Sequence, residues 1–132
     1  MIELTEAEVK QAVEQYLQWQ KNLGKLVYFR LNAGDIFIPN KDGSYRSFKG
    51  AGTGTADFIV IQGGEVQMVH LIQKKIHKAH PVTFVTFVEC KSTKGKQSAE
   101  QVEFEEQVMK LNCRYVVIRD VDELVEILEQ EG

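Results

Sequence analysis

Apolar positions recur at Val9, Ala12, Val13, Tyr16 and Leu17, three or four residues apart, and Gln20 closes the stripe. That spacing predicts one face of an α-helix over residues 5–21. Thr5 is a good N-cap and Glu8 stands at the third helical position, the capping-box arrangement. Trp19 falls near the edge of the stripe, and Gly24 offers the left-handed stop. Lys25–Leu31 then reads as a strand, Asn32-Ala33-Gly34-Asp35 as a turn, Ile36–Ile38 as a short strand before Pro39, and Asn40–Gly43 as a second turn. Phe58–Ile61 is a strand-like apolar run, and Gln62-Gly63-Gly64-Glu65 has the composition of a hairpin turn. Residues 66–71 alternate poorly, and Lys74–Pro81 reads as a basic, exposed connection. This middle stretch has three open roles: extending the sheet, holding a polyanion, or forming a dimer contact.

The second half is clearer. Phe84–Val88 is a strand. Ser98 with Gln101 makes another capping box, opening a helix that reaches about Leu111 and ends at Asn112. Tyr115–Ile118 is a strand, and Val121–Gln130 is an amphipathic helix with Val121, Leu124, Val125 and Leu128 facing inward. Strand, helix, strand from Val85 to Ile118 implies a parallel crossover, while the shorter connections upstream imply antiparallel pairing. The expected fold class is α/β: a mixed β-sheet flanked by helices, in one domain over residues 1–132.

Composition changes this picture little. Apolar residues make up 43% and charged residues 27%, an ordinary globular balance. No apolar run is long enough to span a membrane. The opening Met1-Ile2-Glu3-Leu4-Thr5-Glu6 has neither the basic start nor the apolar stretch of a secretory signal, so a cytoplasmic location is expected. Cys90 and Cys113 match no zinc spacing and read as buried thiols. His70, His77 and His80 have no cysteine or acidic partner in a basic stretch and make a poor metal set.

Charge distribution is more informative than the net charge of −3. Residues 120–132 carry six acids and no base, whereas residues 21–96 carry twelve Lys/Arg against five Asp/Glu. A positive body beside a negative terminal helix is compatible with a phosphate-binding face, and equally with solvated surfaces. Arg30, Asn32, Arg46, Lys49, Lys94 and Lys96 are the candidate phosphate contacts. Tyr45 and Phe48 are candidates for stacking on a base, or for packing on the scaffold. Gly50-Ala51-Gly52-Thr53-Gly54 lacks the Lys-Ser/Thr ending of a P-loop and precedes a strand, which excludes that motif.

The candidate chemistry lies at two strand ends. Asp57 immediately precedes Phe58–Ile61, and Glu89-Cys90-Lys91 follows Phe84–Val88. Alternation along a strand makes Glu89 and Lys91 project together while Cys90 points away. Asp57 beside Glu89 would form a hard-oxygen pair suited to Mg²⁺ or Mn²⁺. Taken alone, Glu89 and Lys91 are equally a same-face ion pair.

Gly54-Thr55-Ala56-Asp57 followed by Glu89-x-Lys91 resembles the PD-(D/E)XK nuclease superfamily, with Ala56 at the usual proline position. The helix opening Thr5-Glu6, Arg30-Leu31-Asn32-Ala33-Gly34, the glycine-rich approach to Asp57, and Ser98-x-x-Gln101 make the chain similar to the VRR-NUC branch, in phage-type stand-alone form. The resemblance covers nearly the whole chain apart from about residues 62–82. It implies a restriction-endonuclease-like core and a metal-dependent DNA endonuclease acting on branched DNA such as Holliday junctions as a homodimer, encoded by a phage and working in the bacterial cytoplasm. A flap- or end-processing subunit of a larger complex, and a non-catalytic nucleic-acid-binding module, are the alternatives. It further implies Asp57 and Glu89 as ligands of Mg²⁺ or Mn²⁺, with the backbone carbonyl of Cys90 as a third. Glu6, three residues before Val9 and seven before Val13, falls on the stripe expected to face inward and would act through water or at a second ion; its other reading is a first-turn acid favouring the helix dipole. Lys91 would position water and stabilise phosphate charge, and Gln101 would face the site as well as cap its helix.

Overall fold

A computed structural model describes residues 2–31, 36–48, 54–70 and 75–131. The element order is α1 (Glu6–Asn22), β1 (Leu26–Arg30), β2 (Ile36–Pro39), β3 (Tyr45–Phe48), β4 (Phe58–His70), β5 (Lys75–Cys90), α2 (Ala99–Met109), β6 (Arg114–Ile118) and α3 (Val121–Glu131). Four strands form one mixed sheet in the order β1-β4-β5-β6. The β1/β4 and β4/β5 pairs are antiparallel and β5/β6 is parallel, as expected for a strand-helix-strand connection. β2 and β3 pair separately as a two-stranded hairpin.

Both capping boxes form, at Thr5/Glu8 and at Ser98/Gln101. Gly24 adopts φ +77° just beyond α1, and Asn112 adopts φ +66° beyond α2. The sheet is covered on both faces. On one, Val9, Val13 and Leu17 of α1 and Leu124 and Leu128 of α3 pack on Phe58, Val60, Val88, Cys90 and Ile118. On the other, Val108 and Phe104 of α2 pack with Ala56, Phe87, Tyr115 and Val117. Burying these apolar surfaces supplies the main force holding the layers together.

Two local expectations are corrected. Gln62–Glu65 is not a hairpin turn: β4 runs straight through it, with Gly63 opposite Thr83 and Gly64 opposite Val82. Lys75–Pro81 is not a loose connection but the start of β5, paired with residues of β4 up to His70. The pairs beyond Gln62/Phe84 continue past the last partners of β1 and β6, so this hairpin extends the sheet as a two-stranded ribbon. Cross-strand backbone hydrogen bonds satisfied along the ribbon outweigh the turn preference of Gly63-Gly64.

A second polar group stabilises the sheet interior. Arg114 donates to Thr86 Oγ1 (3.0 Å from Nε) and to Gln62 Oε1 (3.1 Å), and Gln62 Nε2 donates to the Leu128 carbonyl (3.2 Å). Among the described residues no buried side-chain polar atom lacks a partner, the condition under which a buried polar network is stable.

Candidate active site

Asp57 is the last residue before β4. Its N–H donates to the Val88 carbonyl at 2.9 Å, and its own carbonyl accepts from Leu31 N–H at 2.9 Å. Those bonds fix Asp57 beside the exit of β5. Its Oδ2 accepts the backbone N–H of Cys90 at 2.7 Å. Asp57 and Glu89 are 6% and 2% exposed, so two carboxylates are buried at adjacent strand ends. The expected juxtaposition is present, and Cys90 turns into the core on the opposite face.

Glu89 Oε1 accepts from Gln101 Nε2 at 2.9 Å and lies 3.8 Å from Lys91 Nζ. Tyr115 Oη donates to Glu89 Oε2 at 3.5 Å. Gln101 meanwhile accepts the Ser98 N–H on its Oε1 at 2.8 Å. One amide therefore both caps α2 and orients the carboxylate, so the capping and site-facing positions expected for Gln101 coincide. Lys91 is largely buried, with its side chain 13% exposed.

The loop after β5 also sets the start of α1. Leu4 N–H donates to Thr93 Oγ1 at 2.8 Å, and Thr93 N–H to the Leu4 carbonyl at 3.2 Å. Glu6 consequently reaches the margin of the site. It is not on the buried stripe, contrary to expectation; its side chain is 45% exposed because Val9, Val13 and Leu17 take the inward positions. Lys10, absent from the sequence-derived set, bridges the two acids: its amine is 3.3 Å from Glu6 and 3.2 Å from Asp57 Oδ1. The i,i+4 spacing of Glu6 and Lys10 was the available signal.

Electrostatics follow from this packing. Burial first, and then the negative charge of Asp57, pushes the Glu89 carboxyl up to about 8, with Lys91 opposing. Burial and the same carboxylates push the Cys90 thiol upward, keeping it protonated and unreactive. Burial pulls the Lys10 amine down, but Asp57 and Glu6 together leave it above its ordinary value.

A divalent cation fits the donor chemistry. Mg²⁺ and Mn²⁺ take hard oxygens, and Mg²⁺ commonly uses one or two carboxylates with waters and substrate oxygens completing its shell. Asp57 and Glu89 supply that pair. The Cys90 carbonyl points to the same strand edge as its N–H, which already binds Asp57. Among the described residues there is no cluster of three or more His, Cys, Asp or Glu side chains placed to hold a metal. Glu6 thus stands outside direct reach, separated from Asp57 by the Lys10 amine.

The phosphate-contact candidates separate. Arg30 forms a two-point ion pair with Glu14, with Nε to Oε2 at 2.8 Å. Lys94 pairs with Glu3 at 2.9 Å on the surface, and Lys96 is exposed. Arg119 donates to the Gly95 carbonyl at 2.8 Å and fixes the loop carrying both lysines. Arg46 and Tyr45 lie exposed on β3, away from the two carboxylates in sequence and in a separate sheet. Asn32 and Lys49 lie outside the described residues, as do Gly50–Thr53. Gly54 adopts φ +83°, and a Cβ there would meet Glu100 Cβ at 2.5 Å. Its glycine is required by the close approach of α2.

Among the described residues no helix is long and apolar enough to cross a membrane. Compared with protein-family models, curated proteins and solved structures, the chain matches none of them.

Proposed function

We propose that this protein is a metal-dependent DNA endonuclease with a restriction-endonuclease-like core. The observation that carries the reading is the buried pair Asp57 and Glu89 with Lys91 against Glu89. Burying two carboxylates side by side is unfavourable; Lys10 and Lys91 offset the cost only in part, since the Glu89 carboxyl is still held well above its ordinary value, and a purely structural ion pair of Glu89 with Lys91 would not need Asp57. A non-catalytic nucleic-acid-binding module would gain nothing from buried acids that repel phosphate.

Asp57 and Glu89 would hold Mg²⁺ or Mn²⁺, with the Cys90 carbonyl available beside them. When bound, such an ion supplies charge relief on the phosphate and a more acidic water. The chain's own groups do the rest. Gln101 holds Glu89 in one rotamer, so the carboxylate is preorganised. Lys91 presents an ammonium next to the reacting phosphate, where it positions the attacking water and stabilises charge building on the non-bridging oxygens. Water attacks phosphorus and gives up a proton to solvent, the bond from phosphorus to the ester oxygen breaks, and the leaving oxygen takes up a proton from solvent, so a phosphodiester becomes a phosphomonoester and a hydroxyl. Lys10 shields Asp57 and can instead meet a phosphate oxygen. Glu6 acts through Lys10 or through water.

Branched DNA, and a homodimer that presents two sites to a two-fold-symmetric junction, follow from the VRR-NUC resemblance. Val27 and Phe29, exposed on edge strand β1, are apolar residues available to such a dimer. The test is cleavage of four-way junction, flap and linear duplex across a range of protein concentration. Paired nicks on the junction, rising with dimer concentration, are the expected result. Equal cleavage of all three substrates would remove the junction assignment.

A further inference from the structure

A groove of about 770 Å³ leaves the Asp57 end of the site and runs along the outer flank of α1. Lys10 and Asp57 line one end; Trp19 and Asn22 line the other. Gln11 and Gln15 lie between them on the same flank, each four residues before the next contact. From Lys10 to Trp19 the helix rises about 14 Å, some four nucleotide steps at a stacked spacing of about 3.4 Å.

Three features define what fits. Trp19 is 66% exposed, unusually bare for an indole, and its ring is not part of either core cluster. Gln11, Gln15 and Gln18 along the groove are neutral amides that both donate and accept, so they can pair with exposed base edges as well as with the backbone. The charged wall is already satisfied: Glu14 is held by Arg30, and the single Tyr28 Oη proton is shared between Gln18 Oε1 at 3.0 Å and Glu14 Oε2 at 3.3 Å. A double helix would need rows of free cations facing both backbones. An unpaired strand needs an aromatic platform and adaptable hydrogen bonds.

We propose that this groove binds an unpaired stretch of the substrate strand, with one base stacked on Trp19 about four nucleotides from the phosphate at Asp57. The inference rests on the nuclease reading and narrows it: the strand beside the cleaved bond is unpaired over about four nucleotides, as at a flap base or at a junction's branch point opened on the protein.

Trp19 is the sole tryptophan of the chain, so its fluorescence reports the contact directly. In EDTA, a ten-nucleotide thymidine oligonucleotide should quench the emission to saturation, and a blunt duplex of equal length should quench it weakly. With a dye-labelled oligonucleotide, Trp19→Ala should weaken binding about tenfold. Gln15→Glu, which places a carboxylate in the groove, should weaken it as well while circular dichroism stays unchanged. Metal-dependent cleavage with no quenching by the single strand, or with equal quenching by the duplex, or with unaltered affinity in both variants, would overturn the groove assignment and leave the nuclease standing. Quenching and Trp19-dependent affinity with no cleavage of any DNA would keep the groove as a single-strand site and overturn the nuclease.

Discussion

Replacing Glu89 with glutamine should stabilise the metal-free protein at alkaline pH. Glu89 is buried against Asp57, and its carboxyl titrates near 8 instead of the ordinary 4.5. The folded state therefore keeps a proton that the unfolded chain has already released. Between those two values the folded state binds more protons, so stability is greatest below about 4.5 and falls as pH rises towards 8. A difference of about 3.5 pH units, at about 1.4 kcal/mol each, sets a ceiling of roughly 5 kcal/mol. Local relaxation and water penetration reduce such charges' interactions, and a gain of about 1–3 kcal/mol is expected at pH 8. Glutamine keeps the side-chain shape and an oxygen for Gln101 Nε2 but cannot ionise. Urea unfolding of both proteins in EDTA between pH 5 and 9 is the assay. The two stabilities should nearly coincide at pH 5, separate up to pH 8 in favour of the variant, and then run parallel. Adding Mg²⁺ at about a hundred times its dissociation constant should return about 2.7 kcal/mol to the wild type and little to the variant. A variant equal to or less stable than wild type at pH 8–9 in EDTA would refute the reasoning, because the buried charge would then not be the strained element.

Three other substitutions probe the neighbouring contacts. Gln101→Glu preserves the capping box but sets a third carboxylate against Glu89; unfolding midpoints should change little while the cleavage rate falls at least about tenfold, and unchanged turnover would show that the Gln101–Glu89 bond is dispensable. Lys10→Met removes the amine at Asp57 Oδ1 and should tighten Mn²⁺ binding several-fold by calorimetry; weaker binding would mean that Lys10 supports the site rather than competing for it. Gly54→Ala combines a φ of +83° with a 2.5 Å clash against α2 and should cost about 2–3 kcal/mol in urea unfolding, a prediction that fails if the midpoint is unmoved.

What was legible in the sequence was local. Thr5 with Glu8 and Ser98 with Gln101 mark helix starts because each box is completed within four residues. Asp57 and Glu89 were legible as strand-end carboxylates, since the apolar runs beside them demand burial and the alternation rule assigns Glu89 and Lys91 to one side. The ribbon is hidden from a local reading because Gly63-Gly64 is turn-like by itself, while its extended state depends on Thr83 and Val82, some 18–20 residues away. Arg30 reads as a phosphate contact from its place in the chain, whereas its ion pair with Glu14 depends on how α1 lies beside β1. The same holds for Tyr115, whose hydroxyl reaches Glu89 only because β6 lies parallel to β5. Lys10 was within reach of sequence reasoning through its i,i+4 relation to Glu6, but its contact with Asp57 depends on how α1 docks across the sheet.

The most direct measurement of the central claim is cleavage of an end-labelled four-way junction by wild type and by Asp57→Asn, each with Mg²⁺, Mn²⁺ or EDTA. Asparagine can accept the Cys90 N–H that Asp57 Oδ2 now takes, so the variant should fold, which circular dichroism would verify. Wild type should cleave the strand with either ion and not in EDTA, and the variant should lose at least about a hundredfold of that activity. Cleavage that persists in EDTA, or that is undiminished in a folded Asp57→Asn protein, would contradict the claim.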